Sequence, residues 1–153
     1  MIGIAESKID YSVPDEEIMI DGYIDIRSDR NLQGGGVICY IRQDISYNRI
    51  DIKSDIEHIF LDLLLPNTKP ILIGVVYRPK QAGFLYKISI ALESIPNFNK
   101  HEIYILSDIN INLLHNGQTV PMGIKKYRDF CSIQSLTQII KNATRITKQV
   151  PAC

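Results

Sequence analysis

The sequence is short of cysteine, of net charge and of long apolar runs, and each shortage closes off a class of protein. Its 3 cysteines, Cys39, Cys131 and Cys153, are far apart, with no CxxC and no Cys/His spacing for zinc. That usage points to a reducing, intracellular setting. The 17 Lys and Arg cancel 17 Asp and Glu, so the chain as a whole is not a strongly basic nucleic-acid binder. No apolar run comes near a membrane span of ~18 residues, so no membrane partner is expected. The first residues, Met-Ile-Gly-Ile-Ala-Glu, meet an acid at once and carry no basic lead, unlike a signal peptide. Internal repeats and low-complexity linkers are absent too.

What is present suits a globular protein. The 153 residues, 45% hydrophobic, fit one domain over 1–153 that can bury a core without staples. Charge is spread unevenly: residues 1–113 hold 11 basic and 16 acidic side chains, residues 114–153 hold 6 basic and one acidic, Asp129. This is either a metal-bearing body with a phosphate-contacting end, or ordinary scatter of surface charge.

Apolar runs stopped by polar residues mark strands whose ends could carry chemistry. The stretch Ile103–Leu114 opens as a buried strand and runs into Ser107-Asp108-Ile109-Asn110. There a carboxylate and an amide stand two residues apart. They either share a ligand, one taking a proton from water and the other orienting it, or cap a turn. Met1–Ala5 reads as the back half of a buried strand that ends on Glu6. Glu6 is either a ligand for a hard cation or a solvated carboxylate. Ile71–Tyr77 reads as a strand buried on both faces and ended by Arg78-Pro79. Tyr77 and Arg78 at its exit are either phosphate partners or an ordinary strand end.

Further strands are expected at Ile24–Arg30, Val37–Ile41, Ile59–Leu65 and Leu136–Ile140. Asp21-Gly22 signals a turn. The triple glycine Gly34-Gly35-Gly36 lacks the Lys-Ser/Thr of a P-loop and reads as a hairpin connection. Phe84, Ile88, Leu92 and Ile95 form a helical stripe between Gly83 and Pro96. Ile124, Tyr127, Phe130 or Cys131, and Ile133 trace a second helix. The segment from Lys141 to Lys148 is basic and hydroxyl-rich, and either grips a phosphate backbone or is a solvated tail. The order of strands and helices is mixed α/β.

Taken together, Glu6, Gly22-Tyr23, Asp29-Arg30, Gly34-Gly35-Gly36-Val37, Val76-Tyr77-Arg78-Pro79, Ser107-Asp108-Ile109-Asn110 and Thr144-Arg145 resemble the endonuclease/exonuclease/phosphatase superfamily. More narrowly, they resemble the apurinic-endonuclease-like domain of non-LTR retrotransposons. The resemblance implies an α/β, two-sheet sandwich flanked by helices, DNase-I-like, that hydrolyses phosphodiesters with Mg²⁺ or Mn²⁺. In that scheme Glu6 ligates the metal, Asp108 activates water, Asn110 holds water or phosphate, and Tyr77 hydrogen-bonds phosphate. Thr144, Arg145 and Arg78 contact DNA. It further implies action in the nucleus on DNA and a reverse transcriptase in the full-length element. Phosphomonoester or phosphoinositide hydrolysis, or a binding module without catalysis, are the alternative readings.

The chain departs from that family in two places. Ser107 stands where the family has Gly, a costly exchange wherever φ must be positive. No Asn strand precedes Glu6, and no Ser-Asp-His motif follows. His58, His101 and His115 do not replace the latter's histidine and read as surface residues. The sandwich is therefore expected to be incomplete at its N- and C-termini, with open sheet edges, and to be inactive or poorly folded.

Overall fold

A computed structural model describes residues 1–79, 83–113 and 119–142. They fall into two compact units, Met1–Asn110 and Ile111–Cys153. The first holds two sheets. Strands β1 (Ile2–Ala5), β2 (Tyr23–Ser28) and β3 (Val37–Arg42) form an antiparallel sheet in the order β1-β3-β2. Strands β4 (Tyr47–Ile50), β5 (Glu57–Leu63), β6 (Ile71–Tyr77) and β7 (Glu102–Asp108) form the second, in sequence order. There β6 and β7 are parallel, joined by helix α1 (Phe84–Glu93). A crossover of this kind is how a chain returns to lay a parallel strand.

Alternation builds the core between the sheets. Val37, Cys39 and Ile41 of β3 meet Ile59, Leu61 and Leu63 of β5 and Ile73, Val75 and Tyr77 of β6. The opposite side chains Phe60, Leu72 and Val76 are equally buried, so β6 is covered on both faces as its apolar run implies. The stripe Phe84, Ile88, Leu92 and Ile95 is buried as its spacing requires. Gly74 sits opposite Phe60 in the β5–β6 register. A Cβ on Gly74 would lie 2.7 Å from Phe60 Cε1 and 2.8 Å from Ile105 Cδ1. Gly74→Ala is therefore expected to cost about 1–3 kcal/mol by overpacking, read as a lower thermal midpoint.

Several expectations are corrected. The strands at Met1–Ala5 and Ile103–Leu114 are edge strands, not buried ones. Ile2 is 43% exposed in β1, and Tyr104 is 40% exposed in β7. An edge strand has one neighbour and is covered on one side only. Leu136–Ile140 forms no strand; no partner strand pairs with it among the described residues. Instead Gln138 turns back, accepting from the Tyr127 hydroxyl at 2.5 Å and donating to the Ile140 carbonyl at 2.8 Å. In helix α2 (Met122–Ile133) the buried series runs Ile124, Tyr127, Phe130, then Gln134, while Ile133 is 75% exposed. Ile133 lies off the 3.6-residue stripe. Strand β4 gave no apolar signal, because Tyr47–Ile50 is half polar.

The histidines also differ from expectation. His58 lies inside β5, its ring 5.1 Å from that of Phe60. The His101 side chain is only 8% exposed. His115, Thr144 and Arg145 lie outside the described residues. Among the described residues no helix is long and apolar enough to cross a membrane.

Candidate active site

The candidate site grows from the shared direction of strand ends. Tyr77 and Asp108 end β6 and β7 and are register partners in the parallel pair. Strand β1 lies across them. A Cβ on Gly3 would come within 2.7 Å of Leu106 Cδ1 and 3.1 Å of Val75 Cγ2. Glycine thus lets the two sheets approach closely where β1 delivers Glu6 to the same mouth. Glu6 adopts φ 62°, a left-handed backbone uncommon outside Gly, Asn and Asp. The chain is held there by Ser7 N–H donating to the Gly36 carbonyl at 3.1 Å and Lys8 N–H to the Gly35 carbonyl at 2.9 Å.

Glu6 faces the Tyr77 hydroxyl. Burial first, then the Glu6 charge and its hydrogen bond, hold the Tyr77 pKa above the usual phenol value. Tyr77 therefore stays a protonated donor throughout the neutral range. The Glu6 carboxylate is 3.8 Å from Lys8 Nζ.

Asp108 and Asn110 form a tight turn as well as a pair of polar groups. Asn110 N–H donates to Asp108 Oδ1 at 3.0 Å. Asn110, not Ser107, takes the left-handed conformation, φ 48°. Ser107 lies within β7 opposite Val76, so the Ser-for-Gly exchange there meets no left-handed backbone. Asn110 Nδ2 donates to the Arg78 carbonyl at 2.9 Å, and Arg78 Nη1 donates to the Ile109 carbonyl at 2.8 Å. The guanidinium also lies 6.0 Å above the Phe84 ring. Arg78 thus ties the β6 exit to the β7 exit, and the Asn110 amide oxygen is left to accept.

Two residues escaped the residue-by-residue reading. Glu57 opens β5 and is the register partner of Tyr77. Its carboxylate accepts from Arg30 Nη1 at 2.7 Å and from the Gly36 N–H. That hydrogen bond raises the Arg30 pKa, with further contributions from the charges of Glu57, Tyr77 and Glu6. An acid just ahead of an apolar run was the available signal, but only strand register sets it against Tyr77. The pair also explains the glycines. Gly35 has φ 80°, and a Cβ there would collide with Glu57 Oε2 and stand 2.7 Å from Arg30 Cδ. The hairpin reading of Gly34-Gly35-Gly36 holds, since β2 and β3 pair directly; the close approach is an added constraint. Gly35→Ala is expected to destabilise by about 1–3 kcal/mol through left-handed strain and steric clash. It should also displace Arg30, and chemical denaturation together with NMR shifts of Ser7 and Gly36 amides would read both effects.

Human Nocturnin, in the structure of its catalytic domain with bound sulfate anion, matches with a TM-score of 0.58 at 12% identity. The match covers 85% of this chain and 55% of that one. The fold is DNase-I-like. This is the two-sheet architecture expected from the motifs, with α1 as the crossover between β6 and β7. This chain thus spans about half the length of that neighbour. No family model matches the sequence, and no curated protein matches it.

The donors present suit a hard divalent cation. One partly exposed carboxylate, Glu6, together with water is the sparse protein ligand set that Mg²⁺ accepts. Among the described residues no group of three or more His, Cys, Asp or Glu is assembled to cage a metal, so water would supply most of the ligands.

Proposed function

We propose that the Met1–Asn110 unit carries a phosphoester-hydrolysing site of the DNase-I-like kind. The observation that carries this reading is the convergence of Glu6, Tyr77 and Asp108 on one mouth of the sandwich. Phosphoester hydrolysis needs a positioned water, donors to the phosphoryl oxygens and neutralised charge. Asp108 would orient and deprotonate the water. Tyr77, kept protonated, would donate to a phosphoryl oxygen, and Asn110 would present its amide beside Asp108. Glu6 would hold Mg²⁺ or Mn²⁺, which when bound neutralises charge on the phosphate. The sulfate in the Nocturnin structure is a tetrahedral oxyanion of the same shape, which agrees with a phosphate-binding use of this fold.

Small phosphomonoesters and phosphoinositides are served by the same set of groups. Nicking of DNA, as in a retroelement's endonuclease beside a reverse transcriptase, is the second reading. It is favoured by the order of the sequence motifs and by the basic 114–153 segment, which could track a phosphate backbone. The test supplies bis(p-nitrophenyl) phosphate, p-nitrophenyl phosphate and supercoiled plasmid in parallel. Turnover should require Mg²⁺, stop with EDTA and fall in Glu6→Gln. Turnover that persists in EDTA and in Glu6→Gln would refute the role of Glu6, and the preferred substrate would separate the two readings.

A further inference from the structure

We infer that Arg30 binds the reacting phosphate of the substrate, its guanidinium held beside Tyr77 by Glu57 and its open donors offered to the phosphoryl oxygens. The inference rests on the phosphoester reading of the candidate site and adds a contact to it.

Arg30 follows β2 and precedes a closed turn. Asn31 Oδ1 accepts from the Gln33 N–H at 3.0 Å and from the Gly34 N–H at 3.2 Å. The glycines that follow touch both Arg30 and Glu6. A Cβ on Gly35 would stand 2.9 Å from Arg30 Nε, and one on Gly34 would stand 3.8 Å from Glu6 Oε1. Arg30 Nη1 donates to Glu57 Oε1 at 2.7 Å, and Glu57 is the register partner of Tyr77. The guanidinium, the phenol and Glu6 therefore share one mouth. The charges agree with that placement. The Tyr77 pKa, raised first by burial and then by Glu6, is drawn part of the way back by Arg30.

The other charges of the site are committed elsewhere. Glu6, Glu57 and Asp108 make the mouth acidic, so an entering phosphate needs cationic donors besides a metal. Arg78 Nη1 is spent on the Ile109 and Asn110 carbonyls, at 2.8 and 3.3 Å, and its Nε is buried. Asp29, next to Arg30 in sequence, belongs to Arg27 at 2.6 Å. Lys8 is a point charge 3.8 Å from Glu6, without a fork. Among the described residues, the bond to Glu57 is the one hydrogen bond of the Arg30 guanidinium. A guanidinium has several further N–H donors, and the Arg30 side chain is 45% exposed, so a ligand can reach them. Glu57 is itself fixed by accepting from the Gly36 N–H. A long side chain is thus ordered before the substrate arrives, which lessens the entropy lost on binding. Its planar fork matches two oxygens of a phosphate.

The test compares wild type, Arg30→Met and Arg30→Lys in the whole chain. With Mg²⁺ and either bis(p-nitrophenyl) phosphate or p-nitrophenyl phosphate, Arg30→Met should raise KM roughly 10–100-fold, as for lost hydrogen bonds to a charged group. Its kcat should change less than about threefold, the mark of a contact made equally in ground and transition states. Arg30→Lys keeps a cation for Glu57 and should raise KM about threefold or more, because an ammonium lacks the fork. Thermal midpoints should stay within about 3 °C of wild type, since an exposed ion pair adds little to stability. Without metal, inorganic phosphate at constant ionic strength should shift the Arg30 Nε–Hε signal saturably in NMR, and chloride should not. An unchanged KM in Arg30→Met overturns the inference and leaves the hydrolytic reading standing. A KM rise confined to plasmid overturns it too, since Arg30 would then sit on a flanking phosphate. Absence of turnover in wild type sinks the hydrolytic reading instead; the phosphate titration then decides Arg30, and a signal that does not saturate overturns the assignment.

Discussion

Asp108→Asn should lower phosphoester turnover by about 10²–10⁴-fold while leaving the fold intact, the range spanned by positioned general bases. The substituent is chosen for the turn. Asp108 Oδ1 accepts the Asn110 N–H at 3.0 Å, and the Asn side-chain oxygen can accept it equally. The amide cannot take a proton from water, so only the chemistry is removed. Asp108→Ala removes both the base and the turn and should also release Asn110 from its 2.9 Å bond to the Arg78 carbonyl. Single-turnover rates paired with thermal melting separate the two. If Asp108→Asn turns over like wild type, Asp108 is only a turn residue and the assigned chemistry fails.

Phe60→Ala is expected to have the largest effect on stability, about 3–5 kcal/mol. Phe60 is fully buried, and its ring edge packs over Gly74, which has no side chain to move into the space. Relaxation into the cavity is thus restricted, which places the cost toward the upper part of the range. For a chain of this size that corresponds to a drop of roughly 10 °C in thermal midpoint. Circular dichroism melts would measure it. A loss under 1 kcal/mol would mean that Phe60 is not packed tightly into the β5–β6 face.

The elements most legible in the sequence were those whose burial is set locally. Ile71–Tyr77 is apolar at every step and is buried on both faces. The α1 stripe repeats at 3.6 and is bounded by Gly83 and Pro96. Asp21-Gly22 is a turn, with Gly22 at φ 79°. The motifs also point to the DNase-I-like sandwich. What failed did so for want of neighbours. An apolar run does not state whether one or two strands will flank it, so β1 and β7 are edges although their residues predict burial. Leu136–Ile140 has strand-like residues and no strand to pair with. Ile133 is apolar but lies off its helix's buried line.

By itself the sequence determined the strongly apolar strands, the two helical stripes and the polar residues that stand at their ends, because these follow from periodicity and side-chain type. Tertiary structure decided which of those residues meet. Glu57 faces Tyr77 only through antiparallel register, Arg30 reaches Glu57 only across the glycine connection, and His101 comes within 3.5 Å of Asp62 only because the segment before β7 lies one strand away from β5, across β6. Pairings of that sort depend on strand order and register, neither of which is encoded in a local window of the chain.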